Sequence, residues 1–162
     1  MRILASLTAS AVLCSAPVRA EDHRFDWPLR PRPLVVAAFD APFPNWLSGH
    51  RGVDLAATAG QSVHSAGPGT VVFAGELAGR SLVSVAHPGG LRTSYEPVKP
   101  GVRPGQAVRR GSVIGNLMAG HPGCAAPACL HWGAMWGPAA GADYVDPLGL
   151  LASTPIRLKP VR

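Results

Sequence analysis

The chain has 162 residues, 47% hydrophobic and only 15% charged, with a formal net charge of +6, where soluble domains carry about 25% charged residues. Its 19 glycines and 17 prolines exclude helical bundles and coiled coils, because each interior Gly costs about 1 kcal/mol and each Pro about 3. The basic residues Arg51, Arg80, Arg92, Arg103, Arg109 and Arg110 are dispersed and lie in no nucleic-acid-reading motif, so no nucleic-acid partner is expected.

At the N-terminus, Arg2 is followed by a mainly apolar stretch over residues 3–13 and by Pro17-Val18-Arg19-Ala20. This reads as a secretory signal peptide cleaved after Ala20. A secreted or cell-envelope protein is expected, with no membrane span once the signal is removed, since no apolar run reaches the roughly 18 residues a bilayer requires. Cleavage takes Arg2 and Arg19 and lowers the charge from +6 to +4, which suits an anionic surface such as a cell wall. It also takes Cys14 and leaves Cys124 and Cys129 in a Gly/Pro/Ala loop; in an oxidising compartment a local disulfide is the expectation.

Residues 21–33 form a Pro- and Arg-rich irregular lead-in containing Trp27-Pro28-Leu29. Short β-type runs bounded by turn residues follow at 34–39, 70–74, 82–86, 91–95, 113–117 and 130–135. His87-Pro88-Gly89-Gly90 joins two of them at hairpin length, which implies antiparallel neighbours. The rhythm over residues 102–115 reads as two short strands around a turn. The expected architecture is all-β: a small, mostly antiparallel β domain over 34–151, followed by a polar tail over 152–162.

Two histidine settings carry chemistry. One is Gly49-His50-Arg51-Gly52-Val53-Asp54, the other Cys129-Leu130-His131-Trp132-Gly133. In extended chain, residues an even number apart share a face, so His50 and Asp54 point the same way, with Gly52 leaving room for a metal and its water. Two imidazoles and one carboxylate make a catalytic zinc set with the fourth position open. Taken alone, a His and an Asp four apart are a weak signal, for which a surface His beside a carboxylate is the usual explanation, and spacing does not show that His131 reaches the same pocket. His64 and His87, at the ends of β-type runs, read as surface or turn residues.

Over residues 27–151 the sequence resembles the lysostaphin or LytM-type zinc metallopeptidases, which cut peptide cross-links in bacterial peptidoglycan. The resemblance rests on Gly49-His50-Arg51-Gly52-Val53-Asp54-Leu55-Ala56, Gly69-Thr70-Val71-Val72 with Gly75, Thr93-Ser94-Tyr95, Gly105-Gln106, Ile114-Gly115 and Leu130-His131-Trp132-Gly133. It implies that His50, Asp54 and His131 hold Zn²⁺, that the site lies in a groove, and that the substrate is peptidoglycan. The family also carries a His-x-His pair and a Tyr-x-His, whose helper histidines fall here on Cys129 and Pro97.

With both helpers replaced, a slow zinc endopeptidase or one with a substitute group is expected, because a positioned acid or base contributes about 10² to 10⁴ in rate. His121, which opens the loop leading to Cys129, is the candidate substitute, and the Tyr95 hydroxyl a candidate oxyanion donor; an exposed loop His and a packed Tyr are the alternatives. Glu96 is expected on the face opposite Tyr95. Cys129 shares a strand face with His131, so it either bridges to Cys124 or closes the zinc site as a fourth ligand. A different class of function is a non-catalytic wall-binding or hydrolase-activating LytM-type module, with a regulatory protein partner. A lipoyl- or biotin-carrier domain is disfavoured, since Lys99 and Lys159 do not stand in a carrier hairpin.

Overall fold

Apolar and other residues alternate along Val53-Asp54-Leu55, Thr93-Ser94-Tyr95 and Leu130-His131-Trp132, which gives each segment one face for a core and one for solvent. The computed structural model describes residues 25–138 and 141–151; the expected signal peptide and the tail lie outside the described residues. Eleven strands occur in this part: β1 (Val35–Ala37), β2 (Gly52–Ala57), β3 (Ser62–His64), β4 (Gly69–Leu77), β5 (Arg80–Ala86), β6 (Leu91–Glu96), β7 (Val98–Pro100), β8 (Ala107–Val108), β9 (Val113–Leu117), β10 (Ala128–Trp136) and β11 (Asp143–Val145). The expected all-β, antiparallel architecture is found.

The large sheet runs β1-β2-β10-β6-β5-β4-β8, with β11 also paired to β10, and β3-β9-β7 form a second sheet. Val53, Leu55, Val83, Val85, Tyr95, Leu130 and Trp132 from the first meet Val63, Val98, Ile114 and Leu117 from the second in one buried cluster. The other face of the large sheet is thereby left for a groove. A 3₁₀ turn, Pro88–Gly90, joins β5 and β6 as the His-Pro-Gly-Gly sequence implies.

The strands that the β-type runs did not include are mostly two or three residues long, too short to show alternation. The longer exception, β2, was legible only as a motif. In the lead-in, Leu29 is wholly buried, Phe25 and Trp27 pack against the core, and Phe25 bridges to Leu151. Among the described residues no helix is long and apolar enough to cross a membrane.

Candidate metal centre and its groove

Leu130 and Trp132 are both wholly buried, so His131 between them leaves the opposite face of β10. On β2, Val53 and Leu55 turn inward in the same way and Asp54 turns outward. The register pairs His131 directly with Asp54 on one side and with Glu96 on the other. Three adjacent strands therefore place Asp54, His131 and Glu96 in one transverse row, with about 4.8 Å between strands.

His50 arrives differently from the sequence expectation. β2 starts only at Gly52, and His50 sits ahead of it on an isolated bridge to Asp40, held by N–H to O contacts of 2.8 and 2.7 Å. Its Nδ1 lies 2.6 Å from the Ala38 carbonyl. A carbonyl only accepts, so Nδ1 carries a proton toward it and Nε2 is the nitrogen left for a metal. That Nε2 is 3.0 Å from Asp54 Oδ1 and 3.1 Å from His131 Nδ1, and His131 Nδ1 is 2.9 Å from the same Oδ1.

The donor set fits a small tetrahedral cation. Zinc with ligands at about 2.0–2.1 Å has ligand-to-ligand edges of about 3.3 Å, close to the three separations found. His50 Nε2 and Asp54 Oδ1 face each other at 3.0 Å, and a cation between them would satisfy both as ligands. Burial raises the Asp54 pKa, but the hydrogen bond with His131 and the charges of His121, His50 and His131 outweigh it and hold the group below the usual carboxylate range. Asp54 is thus ionised at neutral pH.

Gly52 has a different use from the one the spacing suggested. A Cβ there would lie 2.6 Å from His131 Nε2 and 2.5 Å from the Trp132 carbonyl oxygen. The missing side chain makes room for the His131 imidazole, and Gly133 does the same for Ser94 Oγ, 2.7 Å from a Cβ built there.

His121, the candidate substitute helper, comes into this site. Its Nε2 is 3.6 Å from Asp54 Oδ1, beyond hydrogen-bond range, and its ring stacks on His131 at 5.9 Å between centroids and 10° between planes. Its Nδ1 is buried with no hydrogen-bond partner.

Tyr95 does not come into the site, which corrects its candidacy as an oxyanion donor. The side chain is wholly buried; its hydroxyl accepts from the Ala66 N–H at 2.9 Å and contacts Thr93 Oγ1 at 2.9 Å. It faces the core because it alternates with Ser94 and Glu96, which face the groove. Burial pushes its pKa up, against the hydrogen bonds with Thr93 and Ala66, so it stays neutral.

His87 stands at the turn, as the residue capping the 3₁₀ segment Pro88–Gly90, but it is interior and not on the surface. It is only 6% exposed, with Nδ1 2.7 Å from the Pro68 carbonyl and Nε2 2.7 Å from Thr93 Oγ1. His64 lies on β3 with Nδ1 3.4 Å from the Pro28 carbonyl. Cys129 is bonded to Cys124, which decides between its two alternatives in favour of the bridge.

The site opens into a groove of about 1160 Å³ lined among others by Arg80, Arg92, Ser84, Ser94, Glu96 and Met135. Arg80 and Glu96 are paired at 3.0 Å. Glu96 beside the metal ligands was legible from strand parity once Tyr95 is inward. The Ala38 carbonyl, a backbone group brought in from β1's end, has no sequence signal.

Residues 48–147 match peptidase family M23. An uncharacterized protein of Mycobacterium tuberculosis (strain ATCC 25618 / H37Rv) is 69% identical over 151 residues, covering 93% of this chain and 61% of the relative. The chain therefore spans only 61% of the length of the curated relatives it matches. Helicobacter pylori Csd3 is similar with a TM-score of 0.64 and 26% identity, over 85% of this chain and 37% of that one. The antimicrobial peptidase lysostaphin from Staphylococcus simulans shares the fold, with a TM-score of 0.64 at 23% identity, over 87% of this chain and 61% of that one.

Proposed function

Because the chain belongs to peptidase family M23, we propose that it is an exported zinc metalloendopeptidase that hydrolyses peptide cross-links of bacterial peptidoglycan. The observation that carries this reading is the convergence of His50 Nε2, Asp54 Oδ1 and His131 Nδ1 within 3.1 Å of one another on the floor of an open groove. His50, Asp54 and His131 would hold the metal. When bound there, zinc supplies Lewis acidity toward a substrate carbonyl and lowers the pKa of water toward about 7.

The remaining work falls to the chain's own groups. His50 is oriented by the Ala38 carbonyl, a partner of the kind that fixes the tautomer of metal-binding histidines. Asp54 supplies the one negative charge of the ligand set. Among the described residues no hydrogen bond commits His121 Nε2, which stands 3.6 Å from Asp54 Oδ1, and we assign it the proton transfers for which Pro97 and Cys129 have no capacity. Ser94 and Glu96 offer polar groups to a peptide lying along β6. Export is supported by the signal-like first twenty residues and by the disulfide, which suits an oxidising compartment.

The test is release of new amino groups from purified peptidoglycan by the zinc-loaded full chain. We expect release that disappears in His50→Ala and falls by about 10² to 10⁴ in His121→Ala. No release by a protein shown to carry zinc, across several wall types, defeats the peptidase reading. It would favour the non-catalytic wall-binding or hydrolase-activating module, the reading supported by the replacement of both helper histidines.

A further inference from the structure

We propose that the Cys124–Cys129 disulfide is a positioning element that holds His121 over the metal ligands, so that the cysteine standing where the family has a helper histidine is the anchor for that histidine's replacement. This rests on the peptidase reading for its consequence in rate, although the clamp itself is a matter of structure.

Four observations lead to it. Cys129 and His131 leave the same face of β10, two residues apart, and Cys129 is wholly buried beside the site. Cys124, bonded to it, lies three residues after His121, so the covalent link is a short path from the rigid strand to the His121 ring. The intervening loop has little else to fix it. After Met118, whose N–H donates to the Pro97 carbonyl, the hydrogen bonds found within residues 119–127 are internal to the loop: Cys124 N–H to His121 O at 3.4 Å and Ala126 N–H to Cys124 Sγ at 3.4 Å.

The fourth observation is the His121 ring. It is only 14% exposed, stacks on His131 and carries a buried Nδ1 with no partner. Among the described residues no side-chain hydrogen bond holds it in place, and its nearest charged partner is Asp54 Oδ1 at 3.6 Å. A polar atom buried without a partner is unfavourable by itself, and the stack on His131 and the 3.6 Å approach to Asp54 Oδ1 fix no ring orientation as a hydrogen bond would, so the disulfide supplies the covalent constraint on the ring's position. Cross-linking a short loop restricts the alternatives open to it.

The experiment compares wild type, Cys124→Ala/Cys129→Ala, His121→Ala and the triple variant, all zinc-loaded full chains. The first readout, independent of activity, is the rate at which diethyl pyrocarbonate modifies His121, located by peptide mass. The second is amino-group release from peptidoglycan. Opening the bridge is expected to raise His121 modification several-fold and lower hydrolysis toward the level of His121→Ala, with no further fall in the triple variant. An unchanged modification rate overturns the proposal, as does an equal loss of activity when the cysteines are replaced in the His121→Ala background.

Should the double variant fail to fold, the folded wild type is opened with a water-soluble phosphine. The S–S bond breaks, each sulfur takes a proton and leaves as a thiol, and phosphorus is oxidised to the phosphine oxide with oxygen from water. A loss of hydrolysis on reduction with an unchanged rate of His121 modification would belong to the Cys129 thiolate binding the metal, and would overturn the clamp. The two readings fail separately: an unchanged rate in His121→Ala defeats the catalytic role, an unchanged modification rate defeats the clamp.

Discussion

Asp54 and His131, 77 positions apart in sequence, are direct cross-strand partners on β2 and β10, and their Oδ1 and Nδ1 atoms meet at 2.9 Å. The pairing comes from the sheet register, since a slip of one residue would turn either side chain into the core. Ligand geometry and core packing are therefore one constraint, with Val53, Leu55, Leu130 and Trp132 holding the register that the metal site uses.

Replacing Asp54 by Asn should remove the anionic ligand while keeping its shape. Zinc content after dialysis is expected to fall from equimolar to background, with an unchanged far-UV spectrum. Full retention of zinc would show that the metal is held elsewhere.

Gly52→Ala should be costly far beyond the usual effect of adding a methyl group. The new Cβ would stand 2.6 Å from His131 Nε2 and 2.5 Å from the backbone oxygen of Trp132, and overpacking of this kind costs about 1–3 kcal/mol. Urea denaturation of the metal-free protein measures that loss. A zinc titration should show affinity lowered by about 10–100-fold, as for other changes that reorient a ligand from behind.

Tyr95→Phe separates packing from catalysis. Without the hydroxyl, the Ala66 N–H loses its acceptor in the core, and an unsatisfied buried group costs about 1–3 kcal/mol. The midpoint of denaturation should fall while kcat for peptidoglycan hydrolysis stays at the wild-type value. A fall in kcat with unchanged stability would return Tyr95 to the reaction.

His87 should make the fold weaker in mild acid. Its pKa is held below 6.5 by burial, which outweighs the hydrogen bond to the Pro68 carbonyl. Below 6.5 the unfolded chain takes up a proton that the folded chain does not, so unfolding is favoured as pH falls toward the depressed folded value, and the stabilisation is fully present above 6.5. Denaturation curves between pH 7.5 and 5 should show this slope, and His87→Gln should flatten it.

Much of the fold was legible because strand alternation is a local property. The runs around Val83, Thr93, Val113 and Leu130 read correctly, and the His-Pro-Gly-Gly turn joined two of them as expected. Strands such as β3, β7 and β11 were not legible, since three residues carry no periodicity and exist only because a partner strand pairs with them. His87 was misread for a related reason. A histidine next to Pro88 and Gly89 has the surroundings of a surface turn, and its burial depends on Phe25 and Pro68 brought over it from elsewhere in the chain.

The sequence by itself determined the class of the domain and the residue types at the candidate metal site, because composition, alternation and residue identity are properties of the chain alone. Tertiary structure alone decided that Asp54, His131 and Glu96 share a row, that the Ala38 carbonyl faces His50 Nδ1, and that His121 stacks on His131 near Asp54 with Cys124 of the same loop tied to Cys129. These are contacts between residues distant in sequence or in irregular chain, fixed by register and packing, which no local pattern encodes.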